Sequence, residues 1–361
     1  MRILFLSGRE IQYQRNTFIL NLLKRFGQVD EFQSRFEKYV RGSILRRTLF
    51  LKSYLGLKKN FNYDLVFIGF YGHLLTISLH HRFHAPILFD AFISTYDTLC
   101  FDRKVFSPNS IFGRLAYWLD KKSCELSDVI LLDTPQHVEY FMREFNLYQK
   151  KFFWLPVGCD ENVFFPRNHT QKPDKDFKVL CYSTYLPLHG MDTVIRSAQI
   201  LLSDKNIKFQ LVGKGQEFSK IKKYVETNNL TNVSLLPPVL LTELPILISE
   251  SDVILGGHFG NSDKSQRVIP GKVYQVLAMR KPLIAGNTSA NRTLFSHGEN
   301  SLLVPPNNPE LLAEAILQLR DDEFLRYRIA ENGRLLFENK CSLDANTEKM
   351  REIISCIRGV L

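Results

Sequence analysis

Short, wholly apolar runs alternate with amphipathic helical stretches from the first residues of the chain, and after a break near the middle the alternation starts again. In the first half, Ile3 to Leu6, Leu65 to Ile68, Ile87 to Phe89, Val129 to Leu132 and Phe152 to Leu155 have no polar face, the pattern of strands covered on both sides. Between such runs, stretches such as Thr17 to Phe26 and Phe112 to Leu126 repeat apolar residues at helical spacing. Strands of this kind need helices on both faces of a sheet, so the chain is predicted to be α/β with doubly wound parallel sheets rather than a sandwich. The break, Phe164 to Asp176, is polar, bounded by Pro166 and Pro173, and has no period, which marks a linker. Beyond it, Val179 to Tyr182, Phe209 to Val212, Val233 to Leu235, Val253 to Leu255 and Leu283 to Ala285 read as strands. Met191 to Leu202, Phe218 to Asn228, Leu241 to Glu250, Lys272 to Met279 and Pro309 to Arg320 read as helices. At 361 residues the chain exceeds the size of a typical single core. Two Rossmann-like domains are therefore predicted, residues 1–165 and 166–341, facing a cleft into which the carboxyl ends of the strands open, with a last helix in 342–361.

The formal charge of +10 and a pI near 9.2 call for an anionic partner: nucleotide, phospholipid headgroup, acidic polymer or nucleic acid. Nucleic acid is disfavoured, because the cations are not interleaved with aromatics in any recognisable module. Six scattered cysteines, with no C-x-x-C pair and no histidine cluster at metal spacing, fit a reduced cytoplasmic protein without a metal site. Met1 to Gly8 turns polar too soon for a signal peptide, and the longest apolar run, Leu235 to Ile248, contains Pro237, Pro238, Glu243 and Pro245. In residues 35–61, Arg35, Lys38, Arg41, Arg46, Arg47, Lys52, Lys58 and Lys59 face a single acid, Glu37, with apolar residues interleaved. Such a segment can lie peripherally on an anionic membrane surface, or pack on the sheet with its charges in water.

Two places carry candidate chemistry. Pro270 and Gly271 feed a helix with apolar Val273, Val276 and Leu277, closed by Lys281-Pro282 before an apolar strand. Unpaired N–H groups at that helix start, helped by Lys272, would hold a diphosphate; an ordinary helix–strand unit with a solvated lysine is the alternative. In the first half, Asp90 ends a strand and Ser94, Tyr96, Asp97, Asp102 and Arg103 follow. Asp90 and then Asp97 are the candidates for the reacting centre, with a helix cap or turn as the competing role.

Five segments occur in a telling order: Leu155-Pro-Val-Gly158-Cys-Asp160 with Phe164-Phe-Pro166, then Pro187-Leu-His189-Gly190, then Leu211-Val-Gly213-Lys214-Gly215. Tyr274 to Met279 before Lys281-Pro282 is the fourth, and Gly298 to Pro305 leading into Pro309 the fifth. Together they resemble the retaining "group 1" glycosyltransferases of the GT-B fold, family 4. The resemblance implies transfer of a hexose from a UDP- or GDP-sugar to a glycan or lipid-linked acceptor with retention. It also implies no cofactor beyond the nucleotide-sugar substrate, no obligatory metal, and a C-terminal helix from about Leu343 to Ile357 packing back on the N-terminal domain. Its donor site falls on Gly8, His189, Gly190, Gly213, Lys214, Arg267, Lys272 and Gln275, and its catalytic strand end on Asp90 and Asp97. The chain departs from the pattern where the family carries two glutamates, which fall at Arg267 and Gln275, and where an Arg and a Lys hold the diphosphate, near Thr184 and His189. A Gln275 carbonyl can still accept from a ribose hydroxyl. The long loop Gly256 to Arg267 adds Lys264 and Arg267, so Lys272, His189 and Arg267 are expected to converge on the diphosphate. The missing glutamates keep a non-catalytic nucleotide-sugar or glycan-binding protein on the same fold in view.

Overall fold

The computed structural model describes residues 1–8, 10–32, 62–167 and 176–359. The basic segment 35–61 and Arg9 lie outside the described residues. The chain divides into two compact units, Met1–Gly158 with Leu343–Leu361, and Cys159–Ser342.

In the first unit six parallel strands are ordered β2-β1-β3-β4-β5-β6. They are β1 (Arg2–Ser7), β2 (Gln28–Phe32), β3 (Leu65–Gly69), β4 (Ile87–Asp90), β5 (Val129–Leu132) and β6 (Lys151–Trp154). Every residue of β3, β4 and β5 is buried, as runs without a polar face require. Successive side chains alternate between the two sheet faces, so Leu4 and Leu6 join one apolar cluster with Phe89 and Phe141, whereas Ile3 and Phe5 join another with Phe18 and Leu131. Met350, Ile353 and Ile354 of the final helix, Leu343–Ile357, complete that second cluster. The C-terminal helix thus packs on the N-terminal unit beside helix Gln14–Lys24, with Arg25 and Asp344 paired at 2.6 Å.

Strand β2, which apolar patterning does not reveal, is an edge strand, Gln-Val-Asp-Glu-Phe, with no fully buried residue. Its acids are met from neighbouring elements by Arg2 on Asp30 and Lys24 on Glu31, each at 2.8 Å.

The carboxyl ends of β4, β5 and β6 meet at Arg15, in the first turn of helix Gln14–Lys24 and wholly buried. Its Nη2 donates to Asp90 Oδ1 at 2.9 Å and to the Leu132 carbonyl at 3.0 Å. Its Nη1 donates to the carbonyls of Leu155 and Pro156 at 2.6 and 2.8 Å, and its Nε faces the Asp90 carboxylate. All five guanidinium donors are thereby used. Asp90 is correspondingly sealed from solvent, and burial pushes its carboxyl above the ordinary range against the pull of Arg15. This corrects the expectation that Asp90 faces a reacting sugar: its position at the strand end serves a buried ion pair.

The second unit repeats the architecture with strand order β12-β11-β10-β7-β8-β9, again all parallel. The strands are β7 (Phe177–Ser183), β8 (Ile207–Gly213), β9 (Val233–Leu236), β10 (Val253–Gly257), β11 (Leu283–Gly286) and β12 (Leu302–Val304). Val179, Cys181, Phe209, Leu211, Val253 and Leu255 form its core with Val194 and Ile195 of helix Met191–Ile200 and Leu312 and Ile316 of helix Pro309–Asp321. Among the described residues no helix is long and apolar enough to cross a membrane.

Removing one partner of the Arg15–Asp90 pair leaves a buried charge unmatched, so Asp90→Ala should lower unfolding free energy by about 3–5 kcal/mol. Arg15→Met with Asp90→Leu should recover much of that loss. Urea unfolding checks both, and a single variant as stable as the parent contradicts the structural role.

Candidate functional site

The site is built at the carboxyl ends of β7 and β10. After Ser183 the chain makes a short 3-10 turn, Pro187–His189, and enters helix Met191–Ile200 through Gly190. Gly190 has φ +66°, and a Cβ there would lie 2.2 Å from the Gly260 nitrogen. A side chain at 190 would push the two loops apart. Instead they are zipped together: the Phe259 N–H donates to the His189 carbonyl at 3.3 Å and the Gly260 N–H to the Leu188 carbonyl at 3.2 Å. This seam lays the His258 ring on that of His189, with centroids 5.6 Å apart and planes inclined by 12°.

The two imidazoles differ in their bonding. His189 is half-buried, and its Nδ1 is reached by Ser183 Oγ at 2.5 Å and by the Leu186 backbone N–H at 3.4 Å. A backbone N–H can only donate, so Nδ1 is an acceptor, and the ring proton sits on Nε2. His258 is buried, bonds the Val268 backbone, and has no hydrogen-bond partner at Nδ1 among the described residues. Burial is the largest cause depressing both rings, reinforced by the positive charges of Lys272 and Lys264; His189 falls well below its ordinary value and His258 to about 3.

Lys272 stands in the first turn of helix Gly271–Ala278, whose N-cap, Pro270, makes no side-chain cap bond. Its Nζ lies 5.6 Å from the centre of the Tyr182 ring, and burial lowers the ammonium below its usual range. Lys264 is buried in the short helix Asp263–Arg267, whose entry is fixed by reciprocal bonds between Ser262 and Ser265 at 3.1 Å. The charged neighbours acting on His189 and His258 are thus cations. Helix N–H groups, two lysines and two imidazoles so arranged can receive a polyanion.

Of the donor residues expected from sequence, the structure joins His189, Gly190 and Lys272. Arg267 ends the short helix half-buried, and the cation from this segment that acts on His189 is Lys264, three positions earlier. Lys214 is exposed just after β8. Gly8 and Gly213 are required by packing, since a Cβ would approach the Tyr71 and Ser183 carbonyl oxygens to 2.1 and 1.9 Å. Gln275 corrects an expectation: it is buried, and its Oε1 accepts from the Tyr182 hydroxyl at 2.9 Å, so the oxygen expected on a ribose is held between helix and sheet. Asp97 is likewise buried, in the first turn of the helical segment Asp97–Asp102, with its N–H bonded to Ser94 Oγ at 2.9 Å. Its carboxylate is thus buried, where exposure toward a reacting centre was expected. Asp120 pins that loop, accepting from Ser94 Oγ at 2.6 Å and from the Thr95 and Tyr96 N–H groups at 2.9 Å each. His258 and Asp120 escaped sequence reading, because only the folded loops show what faces them.

Two six-stranded parallel Rossmann-like sheets define the GT-B class. Residues 164–336 match the family model "Glycosyl transferases group 1". A stretch of 162 residues, 43% of the chain, is 27% identical to the uncharacterized glycosyltransferase MJ1178 of Methanocaldococcus jannaschii and spans 41% of that protein. Alpha-D-kanosaminyltransferase of Streptomyces kanamyceticus is 24% identical over 302 residues, 79% of this chain and 73% of its own. Among solved structures, Anabaena HepE in complex with UDP-glucose superimposes with a TM-score of 0.72 at 15% identity, covering 99% of this chain and 100% of its own.

In the unfolded chain His258 takes a proton near its ordinary value of about 6.5, whereas in the fold it resists protonation until about 3. The unfolded state therefore binds more protons across that window. Stability is fully present above it and is lost as pH falls through it, by up to ~1.4 kcal/mol per pH unit for this residue. His258→Gln should flatten the slope of urea midpoints against pH, and parallel slopes for parent and variant would contradict the burial assigned to His258.

Proposed function

We propose that the protein transfers a hexose from a nucleotide diphosphate sugar, UDP- or GDP-linked, to a carbohydrate or lipid-linked acceptor with retention, and that His189, His258, Lys264 and Lys272 hold the donor diphosphate. The observation that carries this reading is the gathering of two lysines and two imidazoles, both rings acted on by the lysines, beside a helix start at the ends of β7 and β10. The group 1 family match over this unit and the UDP-glucose held by HepE, a protein of the same fold, support it.

As the glycosidic bond breaks, the departing nucleoside diphosphate gains negative charge. Fixed N–H dipoles and cations already aimed at that charge lower the barrier without reorganising. Lys272 and Lys264 supply charge, His189 supplies an Nε2–H donor, and no divalent metal is assigned a part. A non-catalytic nucleotide-sugar-binding protein is the second reading. It is favoured by the side chains at the family's two glutamate positions, where Arg267 is half-buried and Gln275 is held by Tyr182. Release of nucleoside diphosphate from a panel of UDP- and GDP-sugars separates the two.

Lys272→Ala and Lys264→Ala should each weaken UDP or GDP binding by about 1.5–3 kcal/mol, the range for a hydrogen bond to a charged group, and Arg267→Ala by less. Unchanged calorimetric affinities would remove the assignment.

Binding should also take up a proton. His258 is neutral in the free protein, and an anion beside its Nδ1 raises its affinity for a proton, so the complex binds more protons than the free form. Nucleotide affinity is expected to rise as pH is lowered, by up to about tenfold per pH unit, and His258→Gln should remove that component. Identical pH profiles for parent and variant would exclude His258 from the diphosphate site.

A further inference from the structure

We infer that the outward face of helix Ile111–Glu125, with the loop that leads into it, is a docking surface for an anionic lipid bilayer. The face lies in the N-terminal unit and is independent of the diphosphate cluster. Ile111, Phe112, Leu115 and Trp118 recur at helical spacing and are 83%, 60%, 48% and 48% exposed, on the side opposite the buried Gly113, Ala116, Asp120 and Cys124. An ordinary surface helix turns apolar residues inward, and this one turns its largest ones out. The Phe106 ring lies 5.0 Å from that of Phe112 and inclined by 27°, which carries the apolar surface into the loop, where Val105 is exposed.

Charge selects the partner. From 97 to 124 the acids are Asp97, Asp102 and Asp120, all buried, while Arg103, Lys104, Arg114, Lys121 and Lys122 are at least partly accessible. The next acid, Glu125, is matched by Lys122 at 3.2 Å. Among the described residues of this segment the strip is flanked by cations, and the half-buried Glu144 lies beside Tyr117, away from the exposed face; such a strip suits an anionic bilayer, where aromatic and aliphatic side chains enter the headgroup boundary and cations meet the lipid phosphates. A second copy of the chain is a poorer occupant, since a two-fold contact through this face would bring the same cations together. At 15 residues the helix is roughly 22 Å long, so it lies in the interface rather than spanning the ~30 Å hydrocarbon core. Phe324 and Tyr327 are also exposed, but beside Asp321, Asp322 and Glu323, acids that an anionic surface repels.

Flotation with phosphatidylcholine vesicles, with and without phosphatidylglycerol, tests the surface on the full chain. The parent should co-float with the anionic vesicles and much less with the neutral ones. Replacing Ile111, Phe112, Leu115 and Trp118 with Ser should lower the partition coefficient by about tenfold or more. The charge reversal Arg114→Glu with Lys121→Glu should do the same without touching the apolar residues, and provides the readout should the fourfold variant fail to fold. Phe324→Ser with Tyr327→Ser serves as the control and should float like the parent. The proposal is overturned if the parent does not associate, if the charge-reversed variant associates undiminished, or if sedimentation shows a parent dimer that these substitutions dissociate.

Discussion

The N-terminal unit depends on one buried guanidinium. Arg15 gathers the ends of three strands by spending every donor it has, two toward Asp90 and three on the backbone carbonyls of Leu132, Leu155 and Pro156. A charge removed from water this completely is tolerable only when its counter-ion and all its hydrogen bonds are supplied within the fold. Substitutions there are therefore felt as stability before they are felt as function. The same logic sets the loop after β4, where Asp120 receives a hydroxyl and two backbone N–H groups and stands 3.2 Å from His73 Nε2.

The second unit handles charge in the opposite way. The carboxyl ends of β7 and β10 hold His189 and His258 beside Lys264 and Lys272; burial depresses the basicity of both rings and of Lys272, and the two lysines depress the rings further. A charge network closed within the fold does structural work, and one left unbalanced at strand ends is completed from outside. That contrast separates Arg15–Asp90, both charged and both buried, from the four residues assigned to the diphosphate.

What could be read without coordinates follows from where information is local. Runs such as Leu65 to Ile68 and Val129 to Leu132 declare themselves because a strand covered on both faces tolerates no polar residue. Edge strand β2 carries no such mark, and the wholly apolar β12 is only three residues long. Lys272 and His189 could be placed at helix entries from sequence, and the structure brings the charge of Lys272 to bear on His189. Asp90 was misread because a strand-end aspartate looks the same whether it meets a ligand or an arginine 75 positions away. Gln275 shares a helix face with Lys272, as its spacing implies, but Tyr182 on β7 stands on that face and its hydroxyl takes the Gln275 oxygen. The membrane-facing expectation for residues 35–61 was drawn from composition, while the exposed apolar face of Ile111–Glu125 is visible only once its partner face is seen to be filled.

The departures from the family pattern become coherent when the loop after β10 is considered as a replacement part. Where relatives are expected to place an arginine and a lysine after β7, this chain has Thr184 and His189, and a neutral imidazole held by the Leu186 N–H cannot supply the missing charge. The loop Gly256 to Arg267 crosses to that turn, is fixed to it by the bonds to the Leu188 and His189 carbonyls, and delivers His258 and Lys264 to the same place. Of the two groups it brings, Lys264 acts on both rings as a positive charge, and His258 is held neutral by burial. On the proposed reading, an imidazole held neutral by burial lowers the repulsion within the site and would take up a proton beside a polyanion.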